Sequence, residues 1–268
     1  MRIRTVNIEP DVEEVLRAAT LDGNNMVLNS QLDPAKYKKV MKVAELIGFK
    51  WNKKLKCHTG EGDSVDKLRE ALEGGKVVDE KKTYQFYETP DEAADKLAQL
   101  ACIKAGHRVI DPSAGKGALI RAIQRCCPNL GIIYACELNE KMASDLATLS
   151  VASCIAGHGA VKVICGDFLL HNEKYDRIVM NPPFCNLQDC EHVKHAYDLL
   201  LPGGRLVAIM SKSWKHIDSN RKAINFRLWI EDLVQEGRCS WENLPAGTFS
   251  KSGTEIASVI VVIDKDKA

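Results

Sequence analysis

The 268-residue chain has no apolar run long enough to span a membrane. Its first residues, Met1-Arg2-Ile3-Arg4, lack the hydrophobic stretch of a secretion signal. These absences point to a cytoplasmic protein. Charge of one sign is missing too. The formal net charge is +1, so no global field advertises a polyanionic partner, and any nucleic-acid footprint must be local. The ten cysteines lack the paired short spacings of a structural zinc motif. Without a secretion signal they read as reduced thiols. The nearest approach to a ligand set is Cys185, Cys190, His192 and His195, which falls where a helix is expected to begin, so no metal is expected. What is present is an ordinary globular composition, 45% apolar and 27% charged, sufficient for one large or two small domains.

Patterning divides the chain near residue 80. Residues 1–80 are expected to form a small α+β module. Helices are expected over 11–19, 34–48 and 64–73, with Pro34 opening the second and Gly48 closing it. Asp22-Gly23-Asn24-Asn25 reads as a turn, residues 49–58 as a strand or hairpin, and Gly74-Gly75 as the start of a linker. Between Lys36 and Lys56 lie eight lysines and one acid, Glu45, with Tyr37, Phe49 and Trp51 interleaved. That mixture suits a surface that contacts a nucleic-acid backbone, and equally a solvated lysine face over a small core.

Residues 81–268 change character. Strands expected at 108–111, 131–136, 161–165, 175–180 and 204–210 alternate with helices at 91–105, 118–125, 140–150 and 191–200. The alternation predicts a doubly wound α/β domain with a mostly parallel sheet. A last apolar strand, 257–264, has no helix just before it and is expected in a hairpin at the sheet edge.

Chemistry-bearing residues gather at the expected strand ends. The first strand runs into Asp111-Pro112-Ser113-Ala114-Gly115-Lys116-Gly117, where glycines allow a tight turn and close approach of a ligand. Neither the dinucleotide Gly-x-Gly-x-x-Gly nor the phosphate-loop Gly-Lys-Ser/Thr is there. Asp111 would repel a pyrophosphate and attract a cation, which favours S-adenosylmethionine, with its ammonium and neighbouring sulfonium. The second strand ends in Glu137-Leu138, about twenty residues past the turn, where an acid can accept ribose hydroxyls. The third ends in Asp167-Phe168, suited to the adenine amino group and ring. The fourth ends in Asn181-Pro182-Pro183-Phe184. Two prolines remove two donors, stop the strand, and frame an amide oxygen and a carbonyl beside an aromatic ring. Alone, this tetrad is either a strand-ending turn or a ligand grip. Three acids opening on the same crevice favour the grip.

The array resembles the class I S-adenosylmethionine-dependent methyltransferases, a Rossmann-like fold. Asn-Pro-Pro-Phe is similar to the amino-methyltransferase branch, above all DNA adenine-N6 methyltransferases, with the gamma order of motifs. Phe86-Tyr87-Glu88-Thr89-Pro90 resembles that branch's segment at the methionine end of the cofactor. Leu244 to Thr254, followed by an apolar strand, resembles small methylases of phages and mobile elements. Over residues 84–264 the resemblance implies cofactor contacts from Tyr87, Thr89, Pro90, Asp111, Ser113, Ala114, Gly115, Gly117, Glu137, Leu138, Asp167, Phe168 and Asn181. It implies catalysis by Asn181, Pro182, Pro183 and Phe184, with the target base stacked on Phe184. DNA contacts are expected from Lys212, Lys215, Ser252 and Gly253, and from the wider basic stretch that includes Arg221, Lys222 and Arg227. The expected activity is N6 methylation of a flipped-out adenine in duplex DNA. Short or relaxed specificity is expected, because no large recognition domain follows the last strand. Restriction protection and an epigenetic role fit equally. Asn-Pro-Pro-Phe followed by a helix and Leu201-Pro202-Gly203-Gly204 also resembles RNA guanine-N2 methyltransferases. The third alternative is a non-catalytic nucleic-acid-binding protein that kept the fold.

Overall fold

Asp33, Pro34 and Gly48 bracket the longest helix of the first unit by three separate local devices. The Asp33 carboxylate accepts hydrogen bonds from the backbone N–H groups of Ala35 and Lys36, Pro34 supplies a preset φ, and Gly48 closes the helix at φ 108°. The structure is a computed structural model and describes residues 4–60, 62–79, 87–155, 159–252 and 254–267. It divides into two units, Met1–Thr83 and Tyr84–Ala268.

The first unit runs β1 (Thr5–Asn7), α1 (Pro10–Ala18), β2 (Thr20–Asp22), β3 (Asn25–Val27), α2 (Pro34–Ile47), β4 (Phe49–Asn52), β5 (Cys57–Gly60), α3 (Ser64–Gly74) and β6 (Lys76–Val78). β2, β3, β5 and β4 form an antiparallel sheet in that order, and β1 pairs with β6. Leu16 of α1, Met26, Val40 and Ala44 of α2, Phe49 and Leu68 of α3 share one buried cluster. Two expectations change. Gly74-Gly75 does not begin a linker, because Lys76–Val78 returns along Thr5–Asn7. The turn at Asp22–Asn25 is the tip of a hairpin whose strands, three residues each, are too short for a period-two pattern to register.

The second unit contains α4 (Asp91–Leu100), β7 (Val109–Asp111), α5 (Ala118–Cys126), β8 (Ile132–Glu137), α6 (Glu140–Ile155), β9 (Ala160–Cys165), β10 (Tyr175–Met180), α7 (Gln188–Asp198), β11 (Leu200–Ser211), α8 (Ser213–His216), α9 (Arg221–Gln235), β12 (Cys239–Asn243) and β13 (Ser258–Asp264). Its sheet has seven strands in the order β12-β13-β11-β10-β7-β8-β9. The five from β9 to β11 are parallel, and β13 is antiparallel to both its neighbours. The doubly wound α/β expectation holds, and so does the closing hairpin, in which β12 takes the edge. Alternate residues of the central strands feed two cores. Ile110, Ile178, Met180, Leu206 and Ala208 enter one, whereas Val109, Val179, Val207 and Ile209 enter the other. Both faces are covered, which is why these strands read as continuous apolar runs.

β7 lies between β8 and β10, so the chain winds outward in opposite directions on its two sides. A crevice forms at such a switch point, over the carboxyl ends of the strands. Some boundaries move: α4 stops at Leu100, α7 starts at Gln188, and β11 starts at Leu200. The basic stretch 211–227, expected as a DNA-contacting segment, is largely consumed by α8 and α9. Arg227 caps the Trp214 and Lys215 carbonyls and pairs with Asp218, while Lys222 pairs with Glu191. No helix among the described residues is long and apolar enough to cross a membrane.

Candidate active site

A cleft of about 110 Å³ lies over the ends of β7, β8, β9 and β10. Asp111 ends β7 and is 1% exposed. Its Oδ1 accepts the Ser113 backbone N–H at 3.0 Å, and its Oδ2 is buried with no partner. Burial pushes this carboxyl up to about 8, with Glu137 adding repulsion and the Ser113 N–H opposing. A buried, unpartnered carboxylate oxygen facing a cleft is costly unless a donor or cation completes it.

Glu137, at the end of β8, holds the turn after β7. One oxygen accepts Gly115 N–H at 2.8 Å and the other accepts Asn139 N–H at 2.8 Å. Each oxygen keeps a second lone pair for a ligand hydroxyl. Gly117 enters α5 at φ 80°, and a Cβ there would meet Leu146 Cδ2 at 2.9 Å. The positive φ favours glycine here, and any Cβ would also force the Leu146 side chain to shift.

The tetrad follows β10. Asn181 Nδ2 donates to Thr89 Oγ1 at 3.0 Å and to the Tyr87 carbonyl at 3.4 Å. A carbonyl only accepts, so the amide nitrogen must face it. Asn181 Oδ1 is left buried in the cleft wall with no partner. Pro182, Pro183 and Phe184 line the same cleft. The chain then turns through Asn186 and Leu187 at φ 56° and 60°, a left-handed pair that is strained for leucine. Leu187 is buried, so packing holds the turn.

Asp189 secures the far side of this turn and is fully buried. Its Oδ2 accepts both the backbone N–H and the hydroxyl of Ser211, each at 2.9 Å, tying the start of α7 to the end of β11. Burial pushes its carboxyl up to about 6 against these hydrogen bonds. Asp189→Ala would orphan both Ser211 donors, and a stability loss of about 2–4 kcal/mol is expected from urea unfolding.

Of the sequence-expected residues, Tyr87, Thr89, Asp111, Ser113, Ala114, Glu137, Leu138, Asp167, Phe168 and the whole tetrad line the cleft. Gly115 and Gly117 shape it from behind, and Pro90 caps α4 instead. Asp167 Oδ1 accepts Leu169 N–H, and Phe168 is buried with its ring 6.0 Å from that of His192 and 5.0 Å from that of His195. His192 Nδ1–H donates to the Gln188 carbonyl and His195 Nε2–H to that of His171. Among the described residues no group of three or more His, Cys, Asp or Glu could hold an ion. Lys212 and Lys215 do not line the cleft. The Lys215 ammonium sits over the rings of Trp241 and Trp214, and burial with Lys212 nearby lowers it to about 8. Ser252 Oγ donates to the Glu88 carbonyl at 2.7 Å, and Gly253 lies outside the described residues. The cleft residues that sequence reasoning missed include Lys116, Met142 and His192. Lys116 stands between the two glycines and Met142 three residues past Asn139, so their neighbours in sequence carried the signal.

A family model, the methyltransferase small domain, matches residues 63–225. No curated protein matches the sequence. Similar solved structures include a candidate RNA methyltransferase from Pyrococcus horikoshii, 20% identical with TM-score 0.50 over 68% of this chain and 88% of that one. TrmN from Thermus thermophilus is 20% identical with TM-score 0.46, over 65% of this chain and 48% of that one, so this chain spans about half the Thermus protein. A candidate rRNA methylase from Clostridium thermocellum is 11% identical with TM-score 0.45, over 68% and 99%. At 20% identity the Pyrococcus structure speaks to the fold alone. Taken with the family match, S-adenosylmethionine is the cofactor, and the unpartnered Asp111 oxygen, Glu137 and the glycine turn fit it.

Proposed function

The chain belongs to the methyltransferase small domain family, and we propose that it transfers a methyl group from S-adenosylmethionine to the exocyclic amine of a nucleobase in a polynucleotide, RNA ahead of DNA. The observation that carries this reading is the Asn181 amide. Its nitrogen is committed to Thr89 and Tyr87, and its buried oxygen is left as an unused acceptor beside Pro182 and Phe184.

An aromatic amine is a poor nucleophile because its lone pair is delocalised into the ring. Asn181 Oδ1 accepts one amine hydrogen and the Pro182 carbonyl the other. Holding both hydrogens draws the nitrogen toward tetrahedral geometry and localises its lone pair on the open side. Phe184 stacks on the base. Extracting a paired base costs a few kcal/mol, and stacking offsets about 1–3 kcal/mol of it. When bound, the cofactor supplies an electrophilic methyl on a sulfonium. Asp111 holds its cationic end, Glu137 its ribose, and Asp167 with Phe168 its adenine. No side chain has to remove a proton before transfer, so the contribution of the protein is positioning and electrostatics.

RNA is favoured by the similar structure from Pyrococcus horikoshii, a candidate RNA methyltransferase. A guanine-N2 amine in RNA is the first target to test. Adenine-N6 in DNA is the second reading. It is supported by Ser252, in the DNA-methylase-like stretch after Leu244, donating to the carbonyl of Glu88 in the DNA-methylase-like segment before α4. Labelled methyl transfer to RNA and to duplex DNA, followed by nucleoside mass spectrometry, separates them. N2-methylguanosine supports the first and N6-methyladenine the second. A product methylated at a ring carbon or at a hydroxyl would overturn the amine mechanism.

A further inference from the structure

The first unit carries an aromatic ridge that its core does not use. Trp51 on β4 stands directly opposite His58 on β5, with ring centroids 5.0 Å apart in an edge-on arrangement. Tyr37, on α2, reaches the same imidazole, its hydroxyl 3.2 Å from His58 Nε2. His58 is 4% exposed, while Trp51 is 53% and Tyr37 40% exposed. The buried imidazole thus fixes two aromatic rings that remain open to solvent. Neither Trp51 nor Tyr37 belongs to the buried cluster of this unit. A concavity lies on each side of the ridge, about 480 Å³ toward Met41 and Lys42 and about 340 Å³ toward Leu28 and Lys56, and all three rings line both.

The charge around the ridge is of one sign with few offsets. Lys38 and Lys42 flank one concavity, with Glu45 the single acid there. The β4–β5 turn carries Lys53, Lys54 and Lys56, its shape fixed by Asn52 Oδ1 accepting the Lys54 and Leu55 N–H groups. Among the described residues, no ion pair holds Lys38, Lys42, Lys53, Lys54 or Lys56, whereas Lys39 is spent on Glu9. A solvated lysine face over a small core explains the charges. It does not explain two exposed rings, each in contact with one buried imidazole, between two concavities.

We propose that the Tyr37–His58–Trp51 ridge is a stacking site for unpaired bases of a single-stranded polynucleotide, with the surrounding lysines on its phosphates. An exposed ring can stack on any base face, and lysines track a backbone without reading sequence. The site therefore grips unpaired strand of either sugar and favours it over duplex, whose bases are stacked on one another. The inference rests on the polynucleotide reading of the second unit, but its test does not require methyl transfer.

The test is fluorescence anisotropy of labelled 12-mer oligo(U) and oligo(dT), with a duplex of equal length as competitor, using the full chain without cofactor. Trp51→Ala is expected to weaken binding of both single strands roughly tenfold, as loss of one stacked base would, and Trp51→Phe to restore most of it. Trp51 is exposed, so circular dichroism of the variant should match the parent. Lys53→Glu with Lys54→Glu should reduce the slope of log K against log salt by about 1.4, at about 0.7 per phosphate contact. The ratio of oligo(U) to oligo(dT) affinity tells which sugar the strand carries. Equal binding by Trp51→Ala, or duplex bound as tightly as single strand, overturns the proposal. If Trp51-dependent binding is found but no nucleobase is methylated, the ridge stands and the enzymatic reading falls. Methylation without Trp51-dependent binding gives the reverse.

Discussion

Asn181→Ala is expected to lower kcat for methyl transfer by about 100- to 1,000-fold while the Kd for S-adenosylmethionine changes little. The comparison is with single preorganised polar contacts at reacting atoms, whose removal costs about that much. Alanine removes the side-chain acceptor for the amine and leaves the Pro182 carbonyl alone to hold it. The fold has little reason to object. Asn181 Oδ1 is already buried without a partner, so its removal relieves a desolvation cost and offsets the loss of the Thr89 contact. Melting temperature should therefore hold steady or rise, which separates a catalytic role from a structural one. Asn181→Asp should also be inactive. A carboxylate cannot donate to the Tyr87 carbonyl, so it swings away or repels it. Thr89→Val is the graded control. It leaves the Asn181 nitrogen with only the 3.4 Å contact to Tyr87, and a loss of about tenfold in kcat without change in KM is expected from a loosened amide. An Asn181→Ala variant with full kcat, or one that no longer binds the cofactor, would remove the amide from the mechanism. Single-turnover rates and calorimetric cofactor binding decide.

The parts of this site legible in the sequence are those written within one strand and its turn. Asp111 with Gly115 and Gly117, Glu137 with Leu138, and Asn181 through Phe184 each sit at the end of an apolar run, and an apolar run buried on both faces is a strong signal. What escaped is what long-range contact decides. Thr89 looked like a cofactor contact, and its hydroxyl holds Asn181 across 92 residues of sequence. Asp189 falls two residues before the expected helix and carried no signal of its own, yet it anchors Ser211 across 22 residues. Lys215 looked like a free cation until β12 brought Trp241 over it. The three-residue strands of the first unit failed differently, since so short an element has no period to detect.

Asp111→Asn is expected to weaken S-adenosylmethionine binding by 100-fold or more and at the same time to stabilise the protein without cofactor. Both effects come from one buried oxygen. The Asp111 carboxyl, 1% exposed, is pushed up to about 8 chiefly by burial, so the ionised form that a cation needs is the form the folded chain disfavours. The sign follows. The group binds its proton more tightly when folded than when unfolded, where its ordinary value is 3.8. Its contribution to stability is therefore nil below about pH 4, grows steadily unfavourable as pH rises toward 8, and is constant above. At about 1.4 kcal/mol per pH unit, less relaxation around the charge, the cofactor-free cost reaches on the order of 2–4 kcal/mol at pH 8. Asparagine keeps the Ser113 bond and never ionises, so the variant should melt higher than the parent at pH 8, and the gap should close near pH 4. Cofactor binding runs the other way. The ammonium is charged up to about pH 8 and the neighbouring sulfonium at every pH, so binding must draw the Asp111 proton off. Affinity in the parent should climb from pH 6 to pH 8, by at most tenfold per unit, with a proton released on binding. Calorimetry in two buffers of different ionisation enthalpy measures that proton directly. In Asp111→Asn the release should vanish and the affinity should become flat with pH. A parent affinity already flat from pH 6 to 8, or a variant that melts lower than the parent at pH 8, would mean that the orphaned Asp111 oxygen is not the cation's partner.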